Sequence, residues 1–306
     1  MRVLVLGASG MLGSMVLDYL VSTGDAPVSA TVRSADLLRS MKPHAPSATW
    51  TALDVDSCTQ SSLADLLKHY DWAINAIGVI KPYIHDDNAV EVERAIRVNA
   101  QFPYILAHAA QATGCRVIQI ATDCVFSGAL GAYGESAPHD ALDAYGKTKS
   151  LGEVRSSMVF HLRCSIVGPE PRAHVSLLDW FLRQPTHSQL NGYTNHSWNG
   201  ITTLHFARLC HGIMAADMDP RPLHHVIPAD VVSKAHLLEQ FARAYGRADV
   251  TIVPADAKVR VDRTLTTEDA DMNAQLWKAA GYVTPPSVQQ MVAELASWPF
   301  RFSESK

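Results

Sequence analysis

The stretch Val3-Leu-Val-Leu-Gly-Ala-Ser-Gly-Met-Leu-Gly13 joins a short apolar run to a loop of the form Gly-x-x-Gly-x-x-Gly. The apolar run predicts a buried strand, and the residues after Gly13 predict a helix. Between a strand and a helix, such a loop lets the backbone approach a pyrophosphate, whose charge is stabilised by amide hydrogens at the helix start. A tight turn that binds no ligand is the alternative. The residues expected to contact a dinucleotide are Gly7, Ser9, Gly10, Met11, Leu12 and Gly13.

Apolar runs alternate with helical segments along the first half of the chain, which is typical of a doubly wound parallel sheet. Further strands are expected at 28–32, 49–53, 72–77, 115–121 and 158–163, with a long helix at 88–113 that breaks near 102–103. After residue 165 the alternation becomes irregular. The later expected elements are helices at 177–182, 203–216, 233–245 and 288–298, and strands at 223–227 and 250–253.

This pattern predicts an α/β fold with two interlocked lobes. We expect a Rossmann-type, NADP-binding domain at 1–165, to which the segment 222–232 returns. A smaller α/β substrate lobe is expected at 166–306, with a frayed tail at 303–306.

Arg33 directly follows the second expected strand. An acidic residue at this point accepts hydrogen bonds from the ribose 2′-hydroxyl, whereas an arginine suits a 2′-phosphate. The sequence therefore favours NADPH over NADH, unless Arg33 is only a solvated residue at a strand end, and Ser34 could add a hydroxyl contact. After the third strand, the carboxylate of Asp54, next to Val55, could bind the adenine amino group or cap the following helix.

Ala76, Ile77 and Gly78 end the fourth expected strand, where small residues leave room for a flat cofactor. Lys81, just beyond them, is expected at the mouth of the same site. Asn99 lies inside the long helical segment, where asparagine has a low propensity. Its amide either braces the active-site lysine or a water, or is a polar group on the helix face.

Tyr145 and Lys149 stand four residues apart in DAYGKTKSLGE, residues 143–153. In a helix, this spacing makes both side chains project from the same face. A neighbouring ammonium favours the phenolate, which lowers a tyrosine pKa from about 10 and suits the group to proton transfer. Thr122 follows the fifth expected strand at its carboxyl end, where a hydroxyl can point at a substrate. Alone, Tyr-x-x-x-Lys also occurs by chance on surface helices. Combined with the glycine loop, the three residues predict a catalytic site.

The composition argues against several classes of partner. Of the 306 residues, 47% are apolar and 18% charged, and the net charge of -4 gives no reason to expect nucleic acid. The 5 cysteines and 14 histidines show no ligand spacing, so neither disulfides nor a metal site is expected. The sequence predicts neither a signal peptide nor a membrane span, which needs ~20 apolar residues, and we expect a cytoplasmic protein.

Five motifs together carry a family resemblance. In chain order they are GASGMLG at 7–13, TDCVFSG at 122–128, YGKTKSLGE at 145–153, RCSIVGPE at 163–170 and NHSWNGITTL at 195–204. On these motifs the chain resembles extended short-chain dehydrogenases/reductases, and within them the dTDP-4-dehydrorhamnose reductase-like branch. The resemblance spans nearly all residues. It implies reduction of the 4-keto group of a nucleotide-linked 6-deoxy sugar, with NADPH or NADH as donor.

The resemblance also implies a role for each member of the catalytic set. Tyr145 would donate the proton to the sugar C4 oxygen as hydride arrives, and Thr122 would hydrogen-bond that oxygen. Lys149 would hold the nicotinamide ribose and lower the pKa of the tyrosine.

Cys124 departs from the pattern of related 4,6-dehydratases, which carry an Asp-Glu pair after the threonine. This chain keeps Asp123 but has Cys124 in place of the glutamate, so dehydration is not expected. A cysteine here also resembles GDP-fucose synthase, which epimerises its sugar with Cys and His before reducing it, and His174 could supply that histidine. The alternative is a small residue lining the pocket, because a neutral thiol with a pKa of about 8.5 is a poor base.

Substrate contacts are expected from the second half of the chain as well. The Trp198 ring could stack against sugar or base beside Asn199, although core packing explains Trp198 equally. Arg263, with Arg260, could meet the diphosphate, or the pair could bind surface carboxylates such as Asp262 or Glu268. The residues expected to contact the substrate are Lys81, Cys124, Trp198, Asn199 and Arg263.

The leading hypothesis is an NADPH-dependent 4-ketoreductase of a nucleotide-linked deoxy sugar. One alternative is a reductase that also epimerises, and another is a non-catalytic NADP-binding regulatory subunit similar to the β subunit of methionine adenosyltransferase. A nucleotide-sugar 4-epimerase is disfavoured, because it retains NAD and usually has an acidic residue where Arg33 stands. A homodimer is a possible assembly. The nucleotide and the configuration at C4 are left open.

Overall fold

Strands and helices alternate along the first half of the chain, and the computed structural model describes residues 1–219 and 222–302. The tail at 303–306, expected to fray, lies outside the described residues. The strands in the described part of the chain are β1 (Val3–Leu6), β2 (Val28–Val32), β3 (Thr49–Ala52), β4 (Trp72–Asn75), β5 (Arg116–Thr122), β6 (Val159–Cys164), β7 (Ile166–Val167), β8 (Gln189–Tyr193), β9 (His196–Trp198), β10 (Ile201–Thr202), β11 (Leu223–His225), β12 (Val232–Ser233), β13 (Thr251–Ala255) and β14 (Val261–Asp262).

Helices cover both faces of the sheet and build much of the second half. Those within 1–219 and 222–302 are α1 (Met11–Thr23), α2 (Ala35–Met41), α3 (Gln60–Leu67), α4 (Ala89–Ala95), α5 (Phe102–Thr113), α6 (Ala144–Leu151), α7 (Leu177–Leu182), α8 (Thr203–Ala215), α9 (Lys234–Ala244), α10 (Ala270–Ala279) and α11 (Val288–Ser297). Short 3-10 turns lie at Lys42–His44, Val55–Ser57, Lys81–Tyr83 and Asp123–Val125.

The main sheet is parallel and, counted over the described residues, has seven strands in the order β11-β6-β5-β4-β1-β2-β3. The central strand β1 is fully buried, and its Val5 lies between Ala30 of β2 and Ile74 of β4. The strand order reverses between β1 and β4, which is where doubly wound sheets bind ligands at their carboxyl ends. The expected Rossmann-type α/β fold is confirmed.

The edge strand β11 comes from the second half of the chain. It lies within the segment 222–232 and pairs with β6, where Leu223 is opposite His161. The other strands of this half form small two- and three-stranded sheets in the described residues. The division of the chain at residue 165 stays a prediction.

The long helix expected at 88–113 is interrupted earlier than predicted. Ile96–Gln101 form a π-helix between α4 and α5, so the break precedes the expected position at 102–103. Pro103 lies in the first turn of α5, where its missing N–H is not needed. The other expected boundaries agree with the structure to within two residues.

Residues near the end of the described chain contact helix α1. It packs against α8, and its buried Asp18 accepts hydrogen bonds from Trp298 Nε1 at 2.8 Å and from Arg301 Nε at 2.5 Å. One hydrophobic core runs from Val3 in β1 to Phe302. The two expected lobes therefore share a core, and the glycine loop is supported by both.

A buried arginine joins three segments beside α6. Arg163 of β6 is fully buried and binds Glu153 through Nε at 3.2 Å and through its second terminal nitrogen at 2.5 Å. Its guanidinium also lies 2.7 Å from His225 Nε2 and 2.8 Å from His139 Nε2. Because arginine only donates, both rings accept through Nε2 and are neutral. The Nδ1 proton of His225 is accordingly donated to the Thr266 carbonyl at 2.7 Å.

No helix within 1–219 or 222–302 has both the length and the apolar character that crossing a bilayer requires.

Acidification is expected to destabilise this fold through His225. Burial, and then the charge of Arg163, lowers the pKa of His225 from 6.5 to about 4. The folded protein thus binds this proton more weakly than the unfolded chain does. The stability contributed by the neutral ring is present above pH 6.5 and is lost as the pH falls through about 4. The full loss is ~3 kcal/mol.

Urea unfolding at about pH 7.5 and about pH 4.5 measures this loss as a difference in the free energy of unfolding. His225→Gln is expected to flatten the pH dependence, because the amide can accept from Arg163 but does not titrate. The exposed His69 supplies the matched control, His69→Gln, which is expected to follow the parent. An equally steep pH dependence in His225→Gln would contradict the prediction.

Candidate active site

The glycine loop presents backbone amides at the start of α1. Gly7 has a φ of +81°, and a Cβ on Gly13 would lie 2.2 Å from the Gly7 carbonyl oxygen, so only glycine permits this contact. The N-cap of α1 is Gly10, which has no side chain to bond the amides of Met11 and Leu12, and the first turn has no acidic residue. Ser9 is partly exposed beside them. These residues fit the pyrophosphate of a dinucleotide.

The segment after β4 passes beside the glycine loop. The Ala76 amide donates to Leu6 O at 3.0 Å, and the Ile77 amide donates to Asn75 Oδ1 at 3.1 Å. A Cβ on Gly7 would lie 2.9 Å from Ile77 Cγ1. The structure therefore brings residues 76–78 close to the glycine loop. The sequence predicts that these two segments contact the same cofactor.

The residues after β2 and β3 lie at the same edge of the sheet. Arg33 is exposed, and Ser34 caps α2 by accepting from Leu37 N at 3.3 Å. Asp54 caps the turn Val55–Ser57 by accepting from Asp56 N at 3.2 Å. The capping role considered for Asp54 is thus present. The contacts of Arg33, Ser34, Asp54 and Val55 with a cofactor stay predictions.

Asn99 braces the site by a contact that the sequence analysis did not anticipate. Its buried side chain accepts from Val79 N at 2.8 Å and donates to Val79 O at 2.9 Å. It also donates to Thr148 Oγ1 at 3.3 Å. The expected bond to the lysine is not found, and the side chain is buried rather than on a polar helix face, while the contact with a water stays a prediction. The amide instead ties the segment after Gly78 to the neighbour of Lys149 on α6.

The first turn of α6 is fixed by two carboxylates. Asp143 caps the helix by accepting from Gly146 N at 2.8 Å, and its other oxygen pairs with Lys81 Nζ at 2.8 Å. Asp86 accepts from Ala144 N at 3.1 Å. Lys81, predicted at the mouth of the site, is therefore held at the start of the helix that carries Tyr145.

Helix α6 lies unusually close to the turn that follows β5. A Cβ on Gly146 would lie 2.5 Å from the Cys124 carbonyl oxygen and 2.4 Å from Ala141 Cβ. This approach places Tyr145 beside Thr122, whose hydroxyl acts on the pKa of the phenol. Thr122 is buried, and its hydroxyl also accepts from Cys124 N at 3.1 Å. Two hydroxyls thus converge at the carboxyl end of β5.

The expected lowering of the Tyr145 pKa by Lys149 is not found. Burial raises the pKa of Tyr145, and the Thr122 hydroxyl opposes this rise only in part. Lys149 donates to the Ile120 carbonyl at 3.3 Å, and burial lowers the pKa of its ammonium. Tyr145 is therefore a neutral phenol near pH 7, which is the form that can donate a proton.

Sequence comparison assigns the chain that forms this site to a protein family. A profile described as the RmlD substrate binding domain matches residues 1–298. The chain belongs to this family. The predicted resemblance is thereby confirmed, and the protein is an oxidoreductase of the short-chain dehydrogenase/reductase type. No curated protein sequence matches the chain significantly.

Solved structures of similar fold include two enzymes named as dTDP-4-dehydrorhamnose reductases. The one from Clostridium acetobutylicum ATCC 824 has a TM-score of 0.68 and 19% identity, covering 96% of this chain and 98% of its own. The one from Bacillus anthracis str. Ames, in complex with NADP, has a TM-score of 0.69 and 16% identity over the same shares. UDP-glucuronic acid 4-epimerase from Bacillus cereus, with UDP-glucuronic acid and NAD, has a TM-score of 0.72 and 15% identity, covering 97% and 99%. These likenesses show the fold.

In this member of the RmlD family, Cys124 is a neutral thiol. Burial, and then the neighbouring Asp123, raises the pKa of Cys124 to about 12. His174 Nδ1 lies 3.0 Å from Asp179 Oδ2, in the segment that leads into α7. A protonated thiol cannot act as the base that epimerisation needs. The interpretation of Cys124 as a small residue lining the pocket is therefore favoured.

Trp198 and Asn199 are used for packing. The Trp198 ring is 3% exposed, and its Nε1 donates to Ser165 Oγ at 2.8 Å. Asn199 is also buried, donating to Leu265 O at 2.7 Å and accepting from Leu265 N at 3.0 Å. The expected stacking of the Trp198 ring and the expected hydroxyl contact of Asn199 are not supported, because both polar groups are already bonded within the protein.

Arg263 lies next to the catalytic turn. Its Nε donates to the Phe126 carbonyl at 2.8 Å, and its charge acts on the Cys124 thiol. Together with Ser127 and Asp143 it lines a cavity of about 370 Å³ beside the start of α6. Arg260 instead forms the surface pair with Asp262, at 3.0 Å, that the sequence analysis considered. Only one of these two arginines is thus placed towards the site.

The sequence analysis did not identify Lys234 as a residue near the site. It begins α9, its ammonium lies 5.6 Å from the centre of the Trp198 ring, and its charge acts on Asp123 and Cys124. Burial raises the pKa of Asp123, while Arg263 and Lys234 oppose this rise. No motif marks Lys234, because only the tertiary packing of α9 brings its first residue near Asp123.

Gly146→Ala tests the close approach of α6. The added methyl group collides with the backbone of Cys124, so helix or turn must move, and the free energy of unfolding is expected to fall by about 1–3 kcal/mol. Urea denaturation measures this change.

The matched control is Lys147→Ala, at the next, exposed position of the same helix, which is expected to change stability by at most about 0.5 kcal/mol. Equal stabilities of Gly146→Ala and Lys147→Ala would show that α6 does not depend on this contact.

Proposed function

We propose that the protein reduces the 4-keto group of a nucleotide-linked 4-keto-6-deoxy sugar with NADPH. The observation that carries the proposal is the placement of the Tyr145 phenol beside Thr122 at the carboxyl end of the sheet, with Lys149 on the same helix. Membership of the RmlD family supports it, as do the dTDP-4-dehydrorhamnose reductases among the similar structures.

The glycine loop and the segment 76–78 are the proposed cofactor site. The expected nicotinamide dinucleotide agrees with the NADP and NAD of the similar structures. Arg33 is exposed at the surface, where it can meet a 2′-phosphate, which favours NADPH. We assign the cofactor to residues 1–165 with 222–232, and the substrate to 166–306 together with Lys81 and Cys124. Arg263 is the proposed contact for an anionic part of the nucleotide.

Three side chains serve the proposed reduction. Tyr145, kept neutral by burial, donates its proton to the sugar C4 oxygen. Thr122 hydrogen-bonds the same oxygen, and Lys149 is the proposed contact for the nicotinamide ribose. NADPH, when bound, supplies the hydride that the carbonyl carbon accepts, and NADP⁺ is formed. The carbonyl thus gains one hydride and one proton and becomes a secondary alcohol.

Removal of the phenol is expected to abolish the reduction. Tyr145→Phe should lower kcat roughly 10²- to 10⁴-fold with a dTDP-linked 4-keto-6-deoxyhexose, while NADPH still binds. The matched control is Tyr104→Phe, which removes the hydroxyl of an exposed tyrosine and is expected to retain full activity. Consumption of NADPH, followed at its absorbance maximum, is the measurement.

The same assay with UDP-, GDP- and CDP-linked 4-keto sugars identifies the nucleotide that the substrate carries. If the parent protein binds NADPH but oxidises none of it with any of these sugars, the proposed reductase function is refuted. A change in a partner enzyme's kinetics under those conditions would point to the regulatory subunit instead.

Arg33→Ala is expected to weaken the preference for NADPH. Losing a charge-assisted bond to the 2′-phosphate should raise the KM for NADPH roughly tenfold and leave the KM for NADH unchanged. Arg39→Ala, at an exposed arginine of α2 paired with Asp36, is the control. Equal effects of Arg33→Ala on both cofactors would refute the contact with the phosphate.

A further inference from the structure

Three adjacent strands of the main sheet each carry one buried polar residue, and the three residues are in register. Asn75 at the end of β4 lies opposite Gln119 of β5, which in turn lies opposite His161 of β6. Parallel strands covered by helices on both faces are normally apolar, and a buried amide costs free energy unless it is hydrogen-bonded. Departures from this pattern are expected at functional sites, so this polar row is a candidate for a functional role.

The amides of Asn75 and Gln119 form a continuous chain of hydrogen bonds. Asn75 Oδ1 accepts from Ile77 N at 3.1 Å, and Asn75 Nδ2 donates to Gln119 Oε1 at 3.1 Å. Gln119 Nε2 in turn donates to Gly152 O at 3.2 Å. A backbone N–H lies at one end of the chain and a backbone carbonyl at the other, which fixes the orientation of both amides. The chain therefore joins the segment 76–78 to the end of α6.

Strand β5 holds the last turn of α6 at two points. Gln119 binds Gly152, the C-cap of the helix, and the carbonyl of the next residue, Ile120, accepts from Lys149 Nζ at 3.3 Å. On its other side, a Cβ on Gly152 would lie 1.9 Å from Asn99 O, so the helix end packs closely against the π-helix. Because Lys149 lies within one turn of Gly152, a shift of the helix end also moves the ammonium.

His161 holds the chain directly after the helix. Its Nε2 lies 2.9 Å from Val154 O, and since a carbonyl only accepts, Nε2 carries the proton. Gln119 and His161 thus bind alternate carbonyls, those of Gly152 and Val154. Within the polar row, Gln119 is the member that is bonded both towards the cofactor segment and to the catalytic helix.

We propose that Gln119 is a positioning residue, which keeps the catalytic helix and the cofactor segment 76–78 at a fixed distance from each other. This inference rests on the proposed function for its consequence in catalysis. In the proposed reaction the hydride comes from the cofactor beside 76–78 and the proton comes from Tyr145 on α6, and both must reach one carbonyl group. The loss of Gln119 is therefore expected to lower kcat rather than cofactor affinity.

Gln119→Met removes both hydrogen bonds of the amide and keeps a side chain of similar size. We expect kcat with a dTDP-linked 4-keto-6-deoxyhexose to fall roughly tenfold to a hundredfold, because a small misplacement of the reacting groups suffices for such a loss. The KM for NADPH is expected to change by less than about twofold. A residue that only supported the fold would lower stability and leave kcat per folded molecule unchanged, and that result would overturn the inference.

The matched control is Asn273→Leu, which also removes a buried amide that makes two hydrogen bonds. Asn273 accepts from Ile227 N at 3.2 Å and donates to Ile227 O at 3.2 Å, between α10 and the segment after β11. We expect this variant to lose stability and to retain the kcat of the parent. An equal loss of kcat in both variants would overturn the inference, because the loss would then follow from removing any buried amide.

A measurement without sugar separates this inference from the proposed function. The fluorescence lifetime of NADPH bound to the protein reports how firmly the nicotinamide is held. In Gln119→Met we expect this lifetime to shorten towards that of free NADPH at an unchanged dissociation constant, whereas Asn273→Leu is expected to match the parent. A lifetime in Gln119→Met equal to the parent's overturns the inference, whatever the activity.

A shortened lifetime in a protein that reduces no 4-keto sugar would support the positioning role towards the cofactor and refute the proposed function instead. A parent protein that binds no NADPH would refute both. If Gln119→Met does not fold, Gln119→Asn replaces it in both measurements. Its shorter amide cannot reach both partners, so smaller losses in kcat and lifetime are expected, and values equal to the parent's overturn the inference.

Discussion

The site depends on one steric constraint, the close approach of α6 to the turn that follows β5. The Cα of Gly146 lies where any side chain would collide with the Cys124 carbonyl. Because Tyr145 directly precedes this glycine, its phenol is placed beside Thr122 at the end of the strand. The cap by Asp143 fixes the direction from which the helix arrives. Backbone packing therefore sets the distance between the two hydroxyls.

Burial then decides which groups of the site are charged. It keeps the phenol of Tyr145 and the thiol of Cys124 protonated, and it disfavours the ammonium of Lys149. A protonated phenol suits reduction, in which a proton is given, and a protonated thiol does not suit epimerisation, in which a carbon-bound proton is removed. The Lys149 ammonium donates to the Ile120 carbonyl at 3.3 Å. The chemistry follows from these protonation states.

Local patterns in the sequence predicted the elements and the catalytic set, because strand composition, the glycine loop and four-residue spacing are local properties. The helix Leu177–Leu182 was predicted at its observed bounds. Features that depend on partners distant in the sequence could not be predicted. Two examples are the hydrogen bonds of Trp198 with Ser165 and of Asn199 with Leu265. The raised pKa of Tyr145 follows from burial, and the π-helix and the placement of Lys234 follow from tertiary packing.

The central claim is that two hydroxyls of this RmlD-family protein meet on one substrate oxygen. A crystal structure with NADP⁺ and a nucleotide-linked 6-deoxy sugar tests it most directly. The account predicts that Thr122 Oγ1 and the Tyr145 hydroxyl both lie about 2.7 Å from the C4 oxygen of the sugar. A complex in which other groups bind that oxygen, with either hydroxyl beyond hydrogen-bond distance, would contradict it.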